Sequence, residues 1–123
     1  MVRKDGGSDL VTREQFGSFE LRLEWKLTGN LGNSGICYRV SEDAERPWHG
    51  GPEFQVVDYE GYQRFDEFRG DHTTMSGACY DLYAPAKNAA RPLGEWNAVR
   101  CGCWWTATAS STGSTARRWS STS

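Results

Sequence analysis

Residues 16–27, FGSFELRLEWKL, alternate without interruption: Phe19, Leu21, Leu23, Trp25 and Leu27 fall on one side of an extended chain, and Glu20, Arg22, Glu24 and Lys26 on the other. A period of two with one apolar side is that of a half-buried β-strand. The Gly/Asn-rich TGNLGNSG then leads into ICYRV, residues 36–40, so residues 19–40 predict a hairpin or two neighbouring strands. SEDAERPWHGGP reads as a loop from its charge, Pro and Gly content. EFQVVDYE is a third strand, GYQRFDEFRGDHTTM a polar connection, SGACYDLYA a fourth strand, PAKNAARPLG a loop, and EWNAVR the opening of a fifth strand. No long segment has a helical period that beats the alternating one. Short strands punctuated by turn signals every ten residues or so predict an all-β, antiparallel sandwich or jelly roll.

The pattern breaks after Arg100. CGCWWTATASSTGSTARRWSSTS, residues 101–123, holds no Leu, Ile, Val, Asp, Glu or Lys, where a strand opened by EWNAVR should continue with apolar residues at alternate places. A reading frame displaced by one base accounts for this. Trp has a single codon and Cys only two, so Cys103-Trp104-Trp105-Thr106 read one base earlier must end Leu-Val-Asp, while Cys101 and Cys103 become Val, Leu or Met. With permitted synonymous codons the tail can read VRVLVDGNRVEHWLNGAKVVEYE, two strands with an Asp-Gly-Asn turn between them and an Asn-Gly turn after. The expected organisation is therefore a partial β-sandwich domain over residues 1–100 and an out-of-frame, disordered or non-native tail over 101–123.

Composition narrows the class. The chain's 123 residues suffice for one domain, and 14 basic against 16 acidic residues offer no basic face for nucleic acid. No apolar run approaches the roughly 18–20 residues of a membrane span, and MVRKDGGSDL has no apolar stretch behind its basic start, so no export signal is read in the chain as written. Cys101-Gly102-Cys103 lacks the spacing and second ligand pair of a zinc site.

By the period of two, Glu53 and Gln55 share a face of the third strand, opposite Phe54 and Val56; Asp58 joins them only if a bulge near Val56-Val57 adds a residue. Two carboxylates on one face can divide acid and base or nucleophile roles. Arg39 is in register with Cys37; a pairing with Glu53 or Asp58 would satisfy it and lower its partner's pKa, and a solvent-facing Arg is the alternative. In GNLGNSG, Gly32 and Gly35 are expected to supply positive φ. Of the two histidines, His72 is the better placed to move protons and His49 the weaker candidate. Trp48, Tyr59, Tyr62, Tyr80 and Tyr83 exceed the needs of one small core, and aromatic faces suit sugar rings; Trp96 is expected to anchor the core. No cofactor is specified; Glu53, Asp58 and the histidines could hold a divalent cation, but their spacing implies none.

GSFELRLEWKL, GNSGICYRV, GPEFQVVD, SGACYDLYAP and KNAARPLGEWNAVR follow one another in the order and approximate spacing of the bacterial 3-keto-disaccharide hydrolase domain, which this chain resembles over about residues 9–100. The resemblance implies a concanavalin A-like jelly roll with a concave, sugar-facing sheet. It implies a small carbohydrate or glycoside as partner and cleavage of the glycosidic bond of 3-keto glycosides. Members of that family usually carry several tens of residues ahead of GGSDLVT and are often exported or periplasmic, so the resemblance makes this chain a fragment. The spacing of Glu53, Gln55 and Asp58 also resembles the acidic triplet of laminarinase-type glucanases, with Gln in the middle place. The candidate catalytic residues are thus Glu53, Asp58 and His72; the candidate substrate-binding residues are Asn33, Arg39, Trp48, Gln55, Tyr80 and Lys87. Asn33, Ser34, Lys87 and Asn88 owe their placement near the cleft to the resemblance. A keto group at C3 acidifies the C2 proton, so Glu53 or His72 could remove it while Arg39 or Asn33 stabilises the enolate oxygen, the aglycone leaves and water adds. A non-catalytic carbohydrate-binding module using the same sheet is the alternative. Exposed edges and an incomplete core lead to the expectation that the chain as written has no activity of its own.

Overall fold

The computed structural model describes residues 9–41, 43–103 and 121–122. Its elements are β1 (Phe19–Trp25), β2 (Asn33–Cys37), α1 (Pro47–Gly50), β3 (Glu53–Val57), α2 (Tyr59–Tyr62), β4 (Asn97–Cys103) and β5 (Ser121–Thr122), with 3-10 turns at Asp66–Phe68 and His72–Thr74. The fold is all-β, with antiparallel sheets. β1, β4 and β5 make one, in that order, and β2 and β3 make the other. No described helix is long and apolar enough to cross a membrane.

β1 behaves as its alternation predicts. Phe19, Leu21, Leu23 and Trp25 are half-buried and the charged residues between them exposed. The unbroken register with β4 sets Leu21 opposite Cys101, Leu23 opposite Val99 and Trp25 opposite Asn97. On the solvent side, Glu20 accepts hydrogen bonds from both Arg22 and Arg100. The inward side meets the second sheet: Phe54, Val56 and Val99 are buried together, with Leu23, Trp25, Leu27 and Ile36 packed against them. Each such side chain removed from water contributes about 1.5–3 kcal/mol, which makes this cluster the glue between the sheets. Asn97 is polar but satisfied, accepting from the Arg91 amide and donating to the Glu95 carbonyl.

β4 runs through Cys103, past the boundary expected at Arg100, and Cys101 and Gly102 are buried in it. Cys101 and Cys103 occupy inward positions, opposite Leu21 and Phe19. The codons that force Leu-Val-Asp belong mostly to Trp104–Thr106, which lie outside the described residues.

Three expectations need correction. The second strand covers 33–37 and not 36–40, because the turn before it is closed by Leu31 in the left-handed region (φ 57°), whereas neither Gly32 nor Gly35 has positive φ. Leu31 is held there by its amide, which donates to the Asp58 carboxylate at 3.0 Å. Residues 76–84 form no full strand. Their 77–80 portion runs along β3, with Gln55 N donating to Ala78 O, Gly77 N to Gln55 O and Tyr80 N to Glu53 O, before Asp81 at φ 58° turns the chain away. Trp96 is no core anchor: it is 58% exposed, with the Lys26 ammonium 4.8 Å from its ring centre.

Candidate active site

β3 lies between β2 on one side and residues 77–80 on the other, so both of its edges are hydrogen-bonded and both faces are available for side chains. Phe54 and Val56 enter the intersheet core, which turns Glu53, Gln55 and Val57 to the opposite face. Register places Cys37 beside Glu53, Gly35 beside Gln55 and Asn33 beside Val57. The Phe54–Cys79 bridge in turn aligns Tyr80 with Glu53. One polar face therefore gathers Asn33, Gln55, Glu53, Cys37 and Tyr80.

Burial grades along this face. Val57 and Gln55 are covered, and Ser76 closes over that end by donating to Val57 O and accepting from Val57 N. Gln55 donates to Asn33 Oδ1 at 3.4 Å. Toward Glu53 the face opens: Glu53 is half-buried and Tyr80 is 38% exposed. Burial pushes the Glu53 carboxyl above the ordinary carboxylate range, with no cation among the described residues opposing it. The Cys37 thiol is pushed up to about 11, first by burial and then by the negative charges of Glu53 and Asp9. The Tyr80 phenol is raised by burial, then by Asp81, Glu53 and Asp71. All three groups are thus biased toward their protonated forms.

The polar connection borders this opening. Asp71 accepts from both the amide and hydroxyl of Thr73, which lowers its pKa. The Thr73 carbonyl accepts from the Asp81 amide, tying the turn to the end of the 77–80 row. His72 is exposed on that turn, with its ring edge-to-face to Tyr59 at 6.3 Å.

The remaining predicted residues lie elsewhere. β3 is regular, without the bulge that would bring Asp58 onto the Glu53 face; Asp58 instead caps α2, accepting from the Gly61 and Leu31 amides. Its carboxylate holds a turn together. Arg39 follows the end of β2 in the left-handed region (φ 53°), which swings it away, and it donates to the Gly17 carbonyl and the Cys103 sulfur. The expected lowering of the Glu53 pKa by Arg39 is therefore reversed. Lys87 lines an opening of about 180 Å³ beside Trp25, Phe54 and Val99, on the core side of β3. Trp48 is exposed on α1, edge-to-face with His49 and with the Arg46 guanidinium over its ring. Among the described residues, no group of three or more His, Cys, Asp or Glu is arranged to hold a metal ion.

The sequence reading missed Cys37 and Gly35 as members of this face. Strand register would have found Cys37. A glycine inside a strand signals a close approach by another group, and here that group is the Glu53 side chain.

Comparison with known proteins identifies the family of the chain. Residues 1–103 match the family described as the 3-keto-alpha-glucoside-1,2-lyase-like domain. A curated 3-keto-disaccharide hydrolase of Bacteroides thetaiotaomicron is 34% identical over 109 residues, covering 79% of this chain and 37% of its own length. A crystal structure of a candidate glycosyl hydrolase from Parabacteroides distasonis superposes with a TM-score of 0.62 at 26% identity, covering 77% of this chain and 45% of that one. The chain thus spans less than half the length of either relative.

Proposed function

Because this chain belongs to the 3-keto-alpha-glucoside-1,2-lyase-like domain family, we propose that its Glu53 face binds a 3-keto glycoside and breaks the glycosidic bond by elimination. The 3-keto group makes the C2 proton acidic, and the Glu53 carboxylate removes it. The C2–H electron pair passes into the enolate, then forms the C1–C2 double bond as the C1–O bond to the aglycone breaks. The departing oxygen takes up a proton, and water then adds across the new double bond to complete hydrolysis. A base with a raised pKa suits this step, since proton abstraction is favoured by a base whose pKa lies near working pH.

The observation that carries this reading is the half-buried Glu53 carboxyl, unopposed by a cation among the described residues and aligned with the neutral Tyr80 phenol. Tyr80 and Asn33, whose side-chain oxygen accepts from the covered Gln55 amide, supply hydrogen-bond donors for the sugar hydroxyls and the C3 oxygen, the part first given to Arg39. His72 and Tyr59 border the opening, where an aromatic edge can meet the sugar ring. Elimination requires one base and no nucleophilic carboxylate, so a glutamine at position 55 and a structural role for Asp58 are both compatible with it.

The test is to incubate the chain with a 3-keto disaccharide in heavy water, following deuterium at C2, released sugar and amide NMR shifts. Perturbations at Asn33, Glu53, Gln55 and Tyr80, with Glu53-dependent deuterium uptake at C2, are the expected result. Uptake that Glu53→Gln leaves unchanged would sink the reading. Binding with neither uptake nor release would point to a carbohydrate-binding module.

A further inference from the structure

Glu53 occupies the first position of β3 and by register faces Cys37, yet its side chain does not project straight from the sheet. It lies diagonally across β2, over the α-carbon of Gly35. A β-carbon on Gly35 would stand 1.7 Å from Glu53 Oε1, 2.4 Å from Cδ and 2.5 Å from Cγ. These separations are far inside contact distance, so no side chain larger than hydrogen can coexist with Glu53 in this pose. The conflict is with the whole outer half of the side chain, so rotation of the terminal carboxylate does not relieve it. Gly35 does not have positive φ, and its backbone conformation is open to other residues. The requirement for glycine here is one of space.

We infer that Gly35 is the positioning residue for Glu53: its bare α-carbon is the floor on which the carboxylate rests, and this floor keeps the base half out of water. The inference deepens the proposed role of Glu53 and rests on that reading for its meaning, though not for its test. The upward shift of Glu53 has burial as its cause, in keeping with a carboxylate lying flat against backbone. The other ionisable groups around it are Cys37 on β2 with Asp9 beyond it, and Tyr80 on the 77–80 row with Asp71 and Asp81 behind. All of these are acids, and among the described residues none brings positive charge to Glu53, so lifting it off its floor exposes it to water. Its pKa should then fall.

The test is a carbon-13 NMR titration of the Glu53 carboxyl in the full chain, which reads the carboxyl itself and needs no sugar turnover. In the parent chain, Glu53 should titrate above a glutamate in a short unstructured peptide. In Gly35→Ala its midpoint should move down toward that of the peptide glutamate, and the pH at which C2 exchange is half-maximal should move down with it. A folded Gly35→Ala protein with an unchanged Glu53 midpoint overturns the inference. Should Gly35→Ala fail to fold, the double variant Gly35→Ala, Glu53→Ala decides. Recovery of the fold when Glu53 is shortened locates the conflict in that side chain; no recovery assigns Gly35 a backbone role and overturns the inference. An altered midpoint without sugar chemistry in either protein would leave the positioning role standing and remove the proposed reaction.

Discussion

Two glutamates, one on each sheet, show how differently this fold treats the same side chain. Glu20 sits on the outer face of β1, where Arg100 and Arg22 donate to its two oxygens and hold its carboxyl below the ordinary range. Glu53 sits at the start of β3, where burial raises its pKa and no cation among the described residues answers. The linkage signs are therefore opposite. Glu20 contributes stability that is present above its unfolded pKa and lost as pH falls through its lower folded value. Glu53, raised in the folded state, is tolerated best when protonated, below its unfolded pKa. It costs stability as pH rises through the window between its unfolded and its higher folded pKa. The first ladder uses charge for solubility and register, whereas the second holds a charge at a cost, as sites that do proton chemistry commonly do.

The comparison breaks most severely at the shared core. Phe54→Ala removes the buried side chain by which β3 contacts Val99 and the first sheet. It should cost about 3–5 kcal/mol in urea unfolding, a large part of a small domain's stability of about 5–15 kcal/mol. A loss under about 1 kcal/mol would mean the sheets do not depend on each other. Asp58→Ala should cost about 0.5–2 kcal/mol by uncapping α2 and freeing the Leu31 amide. Glu53-dependent exchange at C2 should survive in the folded remainder, and its loss would return Asp58 to the chemistry. Glu53→Gln should raise the melting temperature at pH 7 and change it little at pH 4, while slowing C2 exchange at least about 100-fold; equal melting shifts at both pH values would remove the burial argument. The smallest effect belongs to Glu20→Gln, a slight loss at pH 7 that fades as salt is added, because exposed ion pairs are screened. A large, salt-insensitive loss would show that the two glutamates are not the opposites described.

The same contrast explains what could be read in advance. β1 was legible because one face meets water and the other the core, so alternation in burial appears as alternation in residue type. β3 is covered on both faces from Phe54 to Val57 and shows no such alternation. Its existence was read from β-formers, and the shared face of Glu53 and Gln55 from the period of two. What failed depends on single dihedral angles that composition does not specify. Leu31 takes the left-handed turn position beside two nearby glycines, which moves β2 toward the N-terminus, and Arg39 takes another, which sends its guanidinium toward Gly17 and Cys103. Asp58 was placed on the site face by analogy with a bulged strand; its two accepted amide bonds hold it in a turn. The Gly35 vacancy could have been noticed as a glycine inside a strand, but its meaning depends on which side chain crosses it.

The rows of hydrogen bonds on both edges of β3 have a bearing on time as well as geometry. Backbone amides paired on an interior strand open only with large-scale unfolding, whereas edges and termini fray readily. The Gln55 amide, bonded to Ala78 O, should be among the slowest in the molecule to exchange with solvent. The base at position 53 is thereby anchored to the least restless part of the chain, and an incoming sugar would meet a carboxylate already in position, with little ordering entropy left to lose.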